Sequence, residues 1–275
     1  MENIIEIKNL TKTYGKNRGV SNVSFNVHKG EIFGFLGPNG AGKSTTIRSM
    51  LGFIHYQSGK IKIFDKDVSK NIKVILKDVG YMPSEAMFYP EMKVKDIIKM
   101  AADVRKMDCS VEAEKLYERL KIDRDKKISE LSLGNRKKVS IVCAMQHKPK
   151  LLIFDEPTSG LDPLMQAEFF KLVKEYVAEG ATCMLSTHIL SEVKNYCDRV
   201  AIMKEGILQH VDDVANITKT NAKRVKMIRN GIAEDFLFDK DLNELVNELA
   251  GYDITDITIE EPSLDEIFMH FYKEG

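Results

Sequence analysis

Gly37-Pro38-Asn39-Gly40-Ala41-Gly42-Lys43-Ser44-Thr45 fits the pattern G-x-x-x-x-G-K-[ST], and its flanks decide how it is read. The residues before it, 31–36, form an apolar run that predicts a buried strand. Those after it, to about Phe53, predict a helix. Strand, glycine-rich loop and helix together point to a phosphate-binding loop. The glycines let backbone N–H groups crowd around phosphate oxygens, where a Cβ would block approach or forbid the dihedrals. Lys43 is then the cation for the β- and γ-phosphates, and the Ser44 hydroxyl is a ligand for Mg²⁺. A glycine turn with a solvated lysine would need neither flanking element.

Working outward, a second site of chemistry appears at Leu151-Leu152-Ile153-Phe154-Asp155-Glu156. Four apolar residues end in two adjacent acids at the edge of a predicted core strand, where open α/β sheets bind their ligands. Asp155 is placed to hold the Mg²⁺ shell and Glu156 to act as general base or water orienter. Two solvated acids at a turn are the plain alternative, and the phosphate loop argues against it.

The bulk numbers exclude other classes. The chain has 275 residues, 43 % hydrophobic and 30 % charged, which suits one large domain or a domain with a small appendage. Lys+Arg and Asp+Glu balance at 41 each, so no global field draws it onto nucleic acid. Cys109, Cys143, Cys183 and Cys197 are scattered without metal-like spacing and read as reduced thiols of a cytosolic protein. The start, MENIIEIKNL, shows strand-like alternation and no signal-peptide pattern, and no apolar run is long enough for a membrane span.

Strands are expected at Ile4 to Leu10, Val20 to Val27 and Lys60 to Phe64, as a small antiparallel sheet. A mostly helical insert is expected over about 90–148. Asp162-Pro163 predicts a helix start, with Asp162 as N-cap and Gly180 as the stop; Met165, Phe169, Leu172, Val173 and Tyr176 are its buried face. A strand over 182–188, a helix to about Cys197 and a hairpin over 199–210 complete a main unit of strands alternating with helices, hence a parallel sheet. From 211 the pattern changes to short strands, a helix DLNELVNELA, a strand DITDITI and a last helix from Pro262.

Taken in order along the chain, these motifs resemble those of the ATP-binding cassette (ABC) family. Pro157-Thr158-Ser159-Gly160-Leu161-Asp162 looks like its D-loop, and His188 like its switch histidine. Leu131-Ser132-Leu133-Gly134-Asn135 looks like a divergent form of the signature LSGGQ. Tyr14 falls where the family stacks an aromatic ring on adenine. The resemblance implies a P-loop NTPase core over 1–210 with a mainly parallel sheet, an antiparallel β subdomain and a helical subdomain, and a small α+β extension over 211–275. It implies ATP and Mg²⁺, catalytic roles for Lys43, Glu156 and His188, and a site closed by Ser132 and Gly134 of a second cassette. Ser132, as a helix N-cap, offers its hydroxyl and the following N–H groups to an anion.

Two departures stand out. Where the family usually has a glutamine, Ser84 follows Met82-Pro83, with Glu85 beside it; Glu85 or a bridging water would have to make up the missing reach. Leu133 and Asn135 replace a glycine and a glutamine of the signature, and the leucine limits backbone approach to phosphate. Glu261-Pro262-Ser263-Leu264-Asp265-Glu266-Ile267-Phe268 resembles the end of ATPase subunits of bacterial ABC-2-type exporters, including drug- and antibiotic-resistance exporters. The resemblance therefore implies an exporter ATPase that docks on a separate polytopic permease at the cytoplasmic face of the membrane. An importer ATPase and a soluble ABC ATPase stay open as rivals.

Overall fold

The computed structural model describes residues 2–15, 18–85, 87–218, 223–238 and 240–260. The chain divides into two compact units, Met1–Val211 and Asp212–Gly275.

In the first unit, β1 (Asn3–Thr13) and β2 (Gly19–His28) pair antiparallel. Next come β3 (Ile32–Leu36) and α1 (Lys43–Met50), then β4 (Ser58–Ile63) and β5 (Lys66–Asp67), which complete a sheet ordered β2-β1-β4-β5. β1 runs beyond the expected Leu10 because it carries a bulge. The register steps from Ile7 opposite Phe25 to Leu10 opposite Val23, with Asn9 at φ 52°. The extra residue turns Leu10, like Ile5 and Ile7, into the core.

A helix α2 (Val68–Ile75) was not expected from the pattern, although Asp67 caps it by accepting from the Ser69 amide and Val68 and Ile75 share its buried side. β6 (Val79–Met82) follows. The helical insert consists of α3 (Val94–Arg105), α4 (Ser110–Leu120) and α5 (Leu133–Met145). β7 (Leu151–Asp155), α6 (Pro163–Ala178), β8 (Thr182–Thr187), α7 (Leu190–Tyr196), β9 (Arg199–Lys204) and β10 (Ile207–Asp213) complete the unit.

The second sheet has the order β10-β9-β3-β8-β7-β6, with β9, β3, β8, β7 and β6 mutually parallel. Its central strands IFGFL and LLIFD are buried at every residue, as a sheet covered on both faces requires. On one face, Phe33, Phe35, Leu151 and Ile153 join Ile47, Met50 and Leu51 and the inward residues of the antiparallel sheet in one core. Phe25 stacks on Phe33 with ring centroids 5.5 Å apart, fastening the two sheets together. On the other face, Phe154 meets Phe169 of α6 edge to face at 5.0 Å. The Asp162 cap, accepting from the Met165 amide, contributes about 1 kcal/mol and fixes where α6 begins. Burial of Phe169 and Phe170, at about 1.5–3 kcal/mol each, is the larger effect and decides where α6 docks.

This topology positions the site. β3, β8, β7 and β6 are consecutive neighbours running the same way, so the segments after their C-terminal ends meet at one edge.

The second unit holds α8 (Val214–Thr218), β11 (Lys223–Arg229), β12 (Ile232–Phe238), α9 (Leu242–Leu249) and β13 (Ile254–Glu260). Its antiparallel sheet is ordered β12-β11-β13, and Leu245 and Leu249 of α9 pack on Val225, Met227 and Phe238. The expected helix from Pro262 and the exporter-like stretch 261–268 lie outside the described residues.

Candidate nucleotide-binding site

α1 starts at the end of the glycine-rich loop because Gly42 sits at φ 99°, a left-handed conformation open to glycine. A Cβ there would also lie 2.5 Å from Val20 Cγ1. By helix geometry the amides of Lys43, Ser44 and Thr45 have no carbonyl within α1 to bond, and they crown its positive end. The buried Lys43 ammonium donates to the carbonyls of Gly37 at 2.6 Å and Pro38 at 3.2 Å. It also stands 3.3 Å from Glu156 Oε1.

Glu156 lies just beyond β7, with φ 50°. Its amide is held by the Ser186 carbonyl at 3.1 Å and the Ser186 hydroxyl at 3.2 Å. The same Oε1 that faces Lys43 is 3.5 Å from Nδ1 of the half-exposed His188, which follows β8. One carboxylate oxygen thus lies between a lysine from the β3 loop and a histidine from the β8 end. The sequence named all three residues; the parallel sheet brings them together.

Asp155 is buried one residue earlier. Its Oδ1 accepts from the Ser186 hydroxyl at 2.5 Å, and its Oδ2 has no hydrogen-bond partner among the described residues. An orphaned buried carboxylate oxygen is costly, and a hydrated magnesium ion would satisfy it. Asp155 and Ser44 are hard oxygen donors of the kind Mg²⁺ takes together with nucleotide phosphates.

A cleft of about 1180 Å³ opens above the loop, lined by Asn39 to Thr45, Glu156 and Tyr14. Tyr14 is 47 % exposed, with Lys12 Nζ 4.8 Å from the centre of its ring. Ser84 and Glu85, the pair standing at the usual glutamine position, both line the cleft. Ser132 and Gly134 do not. Ser132 is exposed, and its hydroxyl accepts from the Asn135 amide at 3.3 Å, capping α5 as expected. Within one chain the structure therefore separates the signature residues from the cleft.

Lys137 was missed from sequence. It is buried on α5, lines the cleft and donates its ammonium proton to the Glu156 carbonyl. Burial pulls its ammonium below the ordinary lysine range, while Glu156, Asp155 and Glu192 favour its charged form. The available signal was a lysine four residues before the buried Ile141, on an otherwise apolar stripe.

A phosphate loop opening α1 beside acids at the end of a parallel strand defines the class of P-loop nucleoside triphosphatases. Comparison with known proteins narrows that class. The family described as ABC transporter matches residues 20–159. The chain is 32 % identical over 278 residues to the bacitracin transport ATP-binding protein BcrA of Bacillus licheniformis, spanning 100 % of this chain and 88 % of that one. It is 32 % identical over 283 residues to the linearmycin resistance ATP-binding protein LnrL of Bacillus subtilis, spanning 95 % and 84 %. A solved structure of the ATP-binding subunit of an ABC transporter superposes with a TM-score of 0.76 at 27 % identity, covering 98 % of this chain and 100 % of the other. The chain belongs to the ABC transporter family, as an ATP-binding subunit of the kind that hydrolyses ATP.

Proposed function

We propose that this chain is the ATPase subunit of an exporter, working as a pair of cassettes on a separate polytopic permease at the cytoplasmic face of the membrane. Relatives matched over nearly their whole length serve bacitracin transport and linearmycin resistance, which favours export over import or a soluble role. No helix among the described residues is long and apolar enough to cross a membrane, so the path for substrate belongs to the permease.

The observation that carries the hydrolytic reading is the convergence of Lys43 and His188 on one oxygen of Glu156, at 3.3 and 3.5 Å. The amides of the loop 37–45 and the Lys43 ammonium take the β- and γ-phosphates, while Tyr14 stacks on adenine. Glu156 orients the attacking water and accepts its proton, and His188 holds the γ-phosphate. Asp155 and Ser44 would hold Mg²⁺, which supplies positive charge against the phosphate oxygens when bound. Ser132 and Gly134 stand apart from the cleft of their own chain, which fits their meeting ATP bound to a second copy or a sister cassette.

The test is Glu156→Gln. Losing a general base lowers phosphate release about 10²–10⁴-fold. ATP then stays bound, and the variant runs as a dimer in sizing chromatography with ATP and as a monomer with ADP. A variant that stays monomeric with ATP overturns the two-cassette site. Purification from membranes with identification of the accompanying polytopic protein tests the permease; recovery on ribosomes overturns the transport reading.

A further inference from the structure

We propose that Glu192 is a positioning residue for hydrolysis, a buried carboxylate that ties the chain after Glu156 to the chain before His188; this rests on the roles of those two residues given above. Glu192 lies in the first turn of α7 and is only 6 % exposed. Its Oε1 accepts from the Thr158 hydroxyl at 2.5 Å and its Oε2 from the Thr187 hydroxyl at 2.6 Å. Thr158 is two residues past Glu156 and Thr187 is one before His188; both threonines are 2 % exposed. The Thr187 oxygen also accepts from the Ile189 amide at 3.0 Å, so its proton is committed to Glu192 and a lone pair to the backbone.

These bonds complete a ladder between two strand ends. One rung below, Ser186 donates to Asp155 and accepts from the Glu156 amide. The Glu192 rung lies above, at the last residue of β8 and three residues past the end of β7, where no sheet bond joins the two segments to each other. The separation of Glu156 and His188 is set between those rungs. Thr158 carries a further consequence: its carbonyl accepts from the Leu161 amide at 3.0 Å, so the bond to Glu192 also anchors the loop leading to Asp162.

The choice of residue supports the assignment. A buried carboxylate is costly even with the Lys137 charge near it, and a neutral side chain would make a cheaper structural tie. Only a carboxylate accepts from both hydroxyls at once. Glutamine keeps one of the bonds and must turn the other around, with its –NH₂ donating to a threonine oxygen.

The test uses the full chain with ATP. Glu192→Ala should lower kcat about tenfold or more, because small misplacements near the reacting atoms carry that cost, with ATP affinity unchanged within about threefold. Glu192→Gln should recover most of the loss, and Thr187→Val, which removes one hydroxyl without changing shape, should fall between. In a His188→Ala background, Glu192→Ala should add less than about threefold, because the two act on one geometry. The full loss appearing in both backgrounds, or no loss at all, overturns the proposal. A fall in ATP affinity parallel to kcat does the same, because it marks a merely structural role. If Glu192→Ala does not fold, Thr187→Val with and without His188→Ala decides the matter by the same criteria. An unchanged kcat for His188→Ala itself instead overturns the role given to His188, and with it the route through Glu192.

Discussion

His147 shows how much one buried group can contribute without touching the cleft. Its side chain is buried, Nε2 donates to the Val79 carbonyl at 3.3 Å, and Nδ1 has no partner among the described residues. Burial lowers its pKa to about 4, and the nearby Arg105 charge adds to the effect. The unfolded chain titrates near the ordinary value of 6.5, so between pH 6.5 and 4 the unfolded state binds more protons than the folded one. Stability from this residue is therefore present above about pH 6.5 and is lost as pH falls toward 4. Between pH 7 and 5 the loss is about 2 kcal/mol. His147→Gln retains a donor for Val79 and removes the titration. Urea unfolding at both pH values should show the variant losing about 2 kcal/mol less than the parent. Equal losses would mean that His147 takes up its proton in the folded protein as readily as in the unfolded chain.

At the scale of elements, α5 begins against the loop after β7. A Cβ on Gly134 would lie 2.5 Å from the Gly160 carbonyl oxygen, closer than real Cβ atoms approach. The signature glycine thus has a role inside its own chain, besides any contact with ATP on another. Gly134→Ala should push the two loops apart and cost about 1–3 kcal/mol in denaturant unfolding. Unchanged stability would show that the loops do not hold this contact in solution. The same elements show what sequence can reveal. The start of α6 at Asp162-Pro163, the cap at Ser132 and the loop 37–45 follow local rules of dihedral freedom and capping, so they were legible. Lys137 and Glu192 were not. A lysine inside an amphipathic helix and a glutamate in a first turn read as ordinary solvated residues. Their burial comes from a partner 19 positions away for Lys137 and 34 for Glu192. α2 was missed for a different reason: Asp67 and Val68 carried the local signal, but a short helix broken at Asn71 shows a weak period.

At the scale of the molecule, every residue assigned to the site lies in the unit Met1–Val211, and so does the core that unites both of its sheets. The order of the parallel strands was the part hardest to read beforehand. Alternating strands and helices imply a parallel sheet, but not that β8 would lie between β3 and β7. That order sets the end of β8, and His188 with it, beside the end of β7, so that Lys43 and His188 both reach Glu156. Among its described residues the second unit has a core cluster of five buried residues, Val225, Met227, Phe238, Leu245 and Leu249, which is small for independent stability. The two units should therefore respond differently to separation. A fragment over 1–218 keeps β10 whole, and Val211 packs on the first unit's core. It should unfold cooperatively and bind ATP within about threefold of the full chain, because no assigned contact to nucleotide is lost. A fragment over 212–275 should show no sharp thermal transition by circular dichroism. If the first fragment folds but binds ATP more than about tenfold more weakly, the second unit contributes to the site, and the assignment of all nucleotide contacts to 1–211 fails.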